Sequence, residues 1–225
     1  MAASVQRRPE RLPGDKGVMG YEGVLVTDRA DFLEAVSSDG RRVLEADLGD
    51  ETVVDWVRRA RAVGAELLWL HTNVDLASHG FERFPGYVRM RTESPPHGQP
   101  LPRLEPELYA RTLEGAYHGL WGHKLVSNDV APPPAAVVLA LHEESGEALG
   151  LCRVFPAERL VDGPGVLPHA RTAAAYRRLL LGACTELGPG PIDLDSWGDS
   201  PTVIDAYEEV GFSVVEHTDG WQLQL

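Results

Sequence analysis

One stretch constrains the fold more than any other: ARTAAAYRRLLLGACTEL, residues 170–187. Ala, Leu and Arg favour a helix, and Gly188 supplies a natural stop. Strand-like runs flank it, RLVDGPGVLP at 159–168 and PIDLDSW at 191–197. Gly163-Pro164-Gly165 interrupts the first run. A proline and two glycines within a strand mark a bulge or an early strand end. This alternation makes the chain an α/β protein.

The neighbouring segments extend the pattern. AAVVLALHEESGEALGLCRVF (135–155) sets two apolar runs around Glu143-Glu144-Ser145-Gly146-Glu147. Gly146 can supply the positive φ of a turn, so the stretch reads as an antiparallel hairpin. ELYARTLEGAYHGLWG (107–122) has helical spacing, with Leu108, Leu113, Tyr117 and Leu120 as its apolar stripe. Ser200-Pro201 reads as an N-cap followed by proline at the first helical position, and the helix closes at Gly211. FSVVEHTDGWQLQL (212–225) reads as a last hairpin.

Upstream, residues 23–28, 31–38, 42–48, 51–64 and 65–72 alternate strand and helix, and a strand follows at 86–92. Residues 1–20 read as a flexible tail without the apolar core of a signal peptide. The proline-rich stretch 92–106 has linker composition. The expected division is a tail at 1–20, a segment at 21–95, a linker at 96–104 and a domain at 105–225. VRRARAVGAELLWLHTN before Gly80-Phe81 parallels YRRLLLGACTELGPGPIDLDSW before Gly211-Phe212, a weak internal duplication.

Composition narrows the function classes. The 225 residues carry a formal charge of −13, which argues against broad nucleic-acid binding. It is compatible with a cationic partner such as an amine. No apolar run approaches a membrane span, so no membrane partner is expected and the cytoplasm is the default location. Cys152 and Cys184 sit in apolar stretches and read as buried thiols. No Cys/His cluster has zinc spacing, and no metal is expected.

Val166-Leu167-Pro168-His169-Ala170-Arg171, followed by the long helix, a strand, a helix holding Tyr207 and then Gly211-Phe212, resembles the GNAT N-acetyltransferase superfamily. The resemblance covers about 120 residues in order. It implies a GNAT fold with a mixed central sheet flanked by helices. Residues 21–95 would then be a truncated, non-catalytic GNAT-like half. It implies acetyl-CoA as co-substrate, a small-molecule amine as acceptor, and direct acyl transfer. A homodimer is left open.

The same resemblance assigns site residues. Val166, Leu167, Arg171, Thr172, Ala173, Ala174, Ala175 and Tyr176 match the family's cofactor-binding strand end and pyrophosphate loop. A helix N-terminus offers free amides and positive potential to a diphosphate. Ala174 stands where the family has glycine, and Tyr176 where it has a small residue. Tyr207 matches the tyrosine that protonates the departing thiolate. Leu76 holds the corresponding place before Gly80-Phe81 and cannot supply a proton. His123 and Asp162 are the candidates for the base that deprotonates the acceptor. An alternative is a degenerate GNAT-fold protein that holds coenzyme A or another ligand without turnover. A scaffold or dimerisation module is a third.

Overall fold

The computed structural model describes residues 26–28, 32–37, 39–124 and 130–225. The tail expected at 1–20 lies outside the described residues. The strands are β1 (Val26–Asp28), β2 (Leu33–Val36), β3 (Arg42–Asp47), β4 (Leu67–His71), β5 (Glu82–Thr92), β6 (Val137–His142), β7 (Ala148–Phe155), β8 (Leu160–Val166), β9 (Ile192–Trp197) and β10 (Ser213–Gln224). The helices are α1 (Val53–Ala62), α2 (Tyr109–Tyr117), α3 (Ala173–Leu187) and α4 (Pro201–Glu208). Among the described residues the strands form one mixed sheet in the order β1-β2-β3-β4-β10-β5-β9-β8-β7-β6.

Alternation along the strands decides which face each helix covers. Leu68 and Leu70 of β4 pack with Trp56 and Ala60 of α1. Leu139 of β6, Val161 of β8 and Leu194 of β9 pack with Leu179, Leu180 and Ala183 of α3 and Tyr207 of α4. On the opposite face, Tyr109 and Leu113 of α2 pack with Val138, Ala140 and Leu151. The long helix ends as its sequence requires, with Gly188 at φ 69°. The 135–155 hairpin is β6–β7, with Gly146 at φ 90°. Both cysteines are free and buried, and burial pushes each thiol up to about 12.

The sheet reads alike from its two edges. β1-β2-β3-α1-β4 and a short 3-10 turn (Ala77–His79) lead to β5, and β6-β7-β8-α3-β9-α4 lead to β10. In each half two antiparallel pairings precede a parallel one, β3 with β4 and β8 with β9. The last strand of each half then crosses over. β10 pairs with β4, β5 pairs with β9, and the two pair with each other at the centre.

Two sequence expectations are corrected here. The helix expected within 31–38 is strand β2, held between β1 and β3. The last hairpin is a single strand, because β10 finds partners on both sides and a register shift between Thr218 and Gly220 absorbs the Asp219-Gly220 turn signal. The linker is pinned: Leu104 N donates to Val138 O and Ala140 N to Pro102 O, both at 2.9 Å, and Gly98 N donates to Thr185 Oγ1 at 2.9 Å. β5, which precedes the 96–104 stretch, lies between β9 and β10 in the sheet. Ser200 precedes α4, as expected, but its side chain makes no capping hydrogen bond.

Candidate active site at the parting of two parallel strands

β8 and β9 pair in parallel only at Leu160–Asp162 with Asp193–Asp195. β8 runs on to Val166 and β9 to Trp197 without further pairing. The sequence at the parting explains it. Gly163 takes φ 53°, in the region that favours glycine, and Pro164 has no N–H to donate. Tyr117, the last residue of α2, lies over this turn. A Cβ on Gly163 would collide with the Tyr117 hydroxyl, and one on Gly165 would press on its ring. That hydroxyl donates to the Gly163 carbonyl.

Beyond the parting, α3 begins. Thr172 caps it, with Oγ1 accepting from Ala175 N at 3.2 Å. The amides of Ala173 and Ala174 have no hydrogen-bond partner among the described residues. Arg171 is engaged elsewhere. Its Nε donates to Val166 O at 2.9 Å, and its Nη2 donates to Ala116 O at 3.1 Å and His118 O at 2.6 Å. The guanidinium thus ties the end of α2 to the end of β8. Arg177 pairs with Glu209. Tyr176 is turned into the core, 1% exposed, with its ring centroid 6.2 Å from that of Tyr207. Its bulk is withdrawn from the helix mouth. Ala173 and Ala175 are half-buried there, while Thr172 and Ala174 are exposed.

Tyr207 sits on α4, fully buried, and its hydroxyl donates to Asp199 Oδ2 at 3.0 Å. Ser196 Oγ donates to the same oxygen at 2.7 Å. Burial, then the neighbouring Asp199 charge, pushes the phenol well above its ordinary value, so it stays protonated. Burial likewise raises the Asp199 carboxyl to about 6, against the two hydrogen bonds that pull it down.

No family model matches the sequence, and no curated protein matches it. Solved structures do match. A GCN5-related N-acetyltransferase from Sphaerobacter thermophilus superposes with a TM-score of 0.53 at 14% identity, over 86% of this chain and 80% of that one. A putative acetyltransferase of the GNAT family from Novosphingobium aromaticivorans gives 0.51 at 14%, over 88% and 90%. A GCN5-related N-acetyltransferase from Kribbella flavida gives 0.51 at 13%, over 90% and 89%. The chain has the GNAT fold.

Within that fold, the remaining sequence candidates fall in different places. Asp162 is buried at the last paired position of β8, 3.0 Å from Arg153 Nη2. Burial raises its carboxyl and Arg153 opposes the rise. The Asp162 carboxylate is thus paired with Arg153 inside the sheet. His123 stacks on Tyr117 at 5.6 Å, and its Nε2 lies 3.3 Å from Glu114 Oε2. Burial lowers its proton affinity while Glu114 works in the other direction. The structure therefore brings His123 against Tyr117 with Asp162 nearby, fastens Arg171 to the carbonyls of Ala116 and His118 on either side of Tyr117, and packs Val166 with Tyr176 and Tyr207 under α3 and α4.

Sequence reasoning assigned Tyr117 only to an apolar stripe. The signal that could have found it is the pair Gly163 and Gly165, which leave room for a ring. Asp195, Trp197 and Asp199 read from the sequence as packing or capping groups at a strand end that can line a cleft; the partners of Asp195 on the α2 face were not foreseen: Arg89 holds it through two bonds of 2.7 and 2.8 Å, and Tyr87 donates to it at 2.8 Å. Nothing in the periodicity of VRMRT distinguishes those residues from a solvated strand face.

Proposed function

We propose that the protein is an acyl-CoA-dependent N-acyltransferase that moves an acetyl group from acetyl-CoA to a small-molecule amine. The observation that carries this reading is the parting of β8 and β9 beside the N-terminus of α3. The gap offers unpaired backbone to an extended amide-bearing arm, and the helix start offers the amides of Ala173 and Ala174 to a diphosphate. Those features fit coenzyme A. In this reading Val166 and Leu167 flank the arm, and Thr172, Ala173, Ala174 and Ala175 form the phosphate end. Acetyl-CoA supplies an activated thioester when bound. Tyr207 holds the proton a departing thiolate needs, and Asp199 orients that hydroxyl. Arg171 acts through the backbone it fastens, in place of contacting phosphate.

The twofold strand order supports a second element of the proposal. The chain is a tandem arrangement in which the first half has lost the site. Leu76 and Tyr207 occupy the same place in the same motif. Phe81 N bonds to Leu76 O at 3.4 Å, as Phe212 N bonds to Tyr207 O at 3.2 Å.

One specific observation favours the alternative, a binding protein without turnover: the Tyr117 hydroxyl already holds the Gly163 carbonyl inside the gap. One experiment separates them. The dissociation constant for acetyl-CoA is measured by calorimetry, and free-thiol release is followed with a panel of primary amines, for wild type and Tyr207→Phe. Binding with thiol release that falls at least tenfold in Tyr207→Phe supports the transferase. Binding without release by wild type supports the alternative, and absence of acetyl-CoA binding removes the transferase and the coenzyme A form of the alternative.

A further inference from the structure

On the α2 face, away from α3 and α4, two rings in contact each carry a buried nitrogen with no hydrogen-bond partner among the described residues: His71 Nδ1 and Trp197 Nε1. Buried polar atoms of this kind are uncommon, and each asks for an explanation. His71 closes β4 and is 8% exposed. Trp197 closes β9, two residues beyond its last pairing with β8, so it stands on the lip of the gap. Two strands, β10 and β5, lie between them in the sheet. The rings still meet edge to face, with centroids 5.5 Å apart. Gly220 on β10, the register partner of both His71 and Phe84, carries no side chain. A Cβ there would run into the Phe84 ring.

The other nitrogen of His71 is fixed. Nε2 lies 2.9 Å from Glu45 Oε1, and Lys124 Nζ holds the second Glu45 oxygen at 2.6 Å. Burial works to raise the Glu45 carboxyl, but the Lys124 charge and the His71 hydrogen bond outweigh it and hold the group down to about 2. An ionised carboxylate accepts, so a neutral His71 ring carries its proton on Nε2 and turns a bare lone pair outward at Nδ1. The indole N–H of Trp197 can only donate. The walls are flat and apolar: Tyr87 lies 4.8 Å from Trp197, Phe84 lies 6.3 Å from His71, and Trp121 stacks on Phe84 at 5.5 Å while remaining 41% exposed.

We infer that His71 Nδ1 and Trp197 Nε1 form the acceptor subsite, which takes a neutral primary amine or hydroxyl on a flat apolar body, with His71 as the proton acceptor. Such a group donates to Nδ1 and accepts from the indole, satisfying both atoms at once. As the amine lone pair leaves the indole N–H and bonds to the acyl carbon, the carbon–sulfur bond breaks, an amine proton passes to His71 Nδ1, and the sulfur takes a proton from Tyr207. Glu45 is a positioning residue: it fixes the tautomer and faces the imidazolium that results. The catalytic role rests on the transferase reading; the subsite itself does not. It also moves the base from His123 and Asp162 to the N-terminal half of the chain.

The test has two arms, both on the full chain. In the first, protein labelled with 15N at histidine and tryptophan is titrated with benzyl alcohol and, separately, with toluene. A site built to hydrogen-bond rejects the analogue lacking the hydroxyl. Benzyl alcohol is expected to shift the His71 Nδ1 and Trp197 indole resonances, toluene to leave them unmoved, and Trp197→Phe to abolish the His71 shift in a folded protein. No shift with benzyl alcohol, an equal shift with toluene, or a shift that survives Trp197→Phe overturns the subsite and leaves those atoms to water alone. In the second arm, His71→Gln is compared with wild type in the thiol-release assay. The expected result is a fall of at least a hundredfold in kcat with an unchanged dissociation constant for acetyl-CoA. Equal kcat overturns the base assignment. Should wild type release no thiol, the transferase and base readings fall together, and the first arm alone decides the subsite.

Discussion

The two halves of the sheet carry the same parallel strand pair and treat it in opposite ways. In the N-terminal half, β3 and β4 stay paired from Val43 with Leu67 to Asp47 with His71. In the C-terminal half, β8 and β9 separate after Asp162 with Asp195. Both put a buried acid into the pair, Glu45 opposite Trp69 and Asp162 opposite Asp195, and both neutralise it with a cation, Lys124 or Arg153. What differs is the residue that follows. Ala46 continues the strand, whereas Gly163 turns away from it at positive φ and Pro164 removes a donor. A cleft in this sheet is therefore a local decision of three residues, made on a frame that both halves share.

The strongest way to break the comparison is at the buried acids. Glu45→Gln leaves the Lys124 ammonium, whose side chain is 11% exposed, without its carboxylate. Chemical denaturation is expected to show a loss of about 3–5 kcal/mol. A loss below about 1 kcal/mol would mean the zipped half does not depend on this pair. Next comes the paired motif. Leu76→Ala empties a site that is 1% exposed and is expected to cost about 3 kcal/mol, measured in the same way.

Asp199→Asn works in the other direction. Its carboxyl ionises near 6 in the folded chain, against 3.8 for the free side chain. The unfolded chain loses that proton first, so the wild type loses stability as pH rises from about 4 to about 6. Both hydrogen bonds to Asp199 come from donors, and an asparagine oxygen can accept them. The variant is expected to gain about 2–3 kcal/mol at pH 7.5 and nothing at pH 3.5, read from melting curves at the two values. An equal change at both values would show that ionisation plays no part. The smallest effect belongs to Tyr207→Phe, which removes one hydrogen bond and is expected to cost about 1 kcal/mol by denaturation. Together with Leu76→Ala it asks whether the motif tyrosine is kept for stability or for its proton.

Much of the C-terminal frame was legible in the sequence because its signals are local. Gly146, Gly188 and Pro201 punctuate the chain where the elements begin and end, and helix α3 follows from its own composition. The crossing of β5 and β10 was not legible. Strand exchange depends on partners more than a hundred residues apart, and Asp219-Gly220 carries a turn signal that pairing on both edges overrides. At the site, Tyr207 could be placed by its motif. The hold of Arg171 on three carbonyls could not, because an arginine beside a helix start reads equally well as an anion ligand. His71 and Glu45 come from the half that the motif comparison set aside. The contact of His71 with Trp197 crosses two intervening strands, which no local pattern in the sequence records.

The crossed strands carry a consequence for how the chain is made. β10, the last strand of the sheet in chain order, fills its middle between β4 and β5. Until it is laid down, both of those strands present raw edges, and neither half can close without the other. A chain that lacks Ser213–Gln224 would keep those two sticky edges open at its centre, where a trimmed protein would be expected.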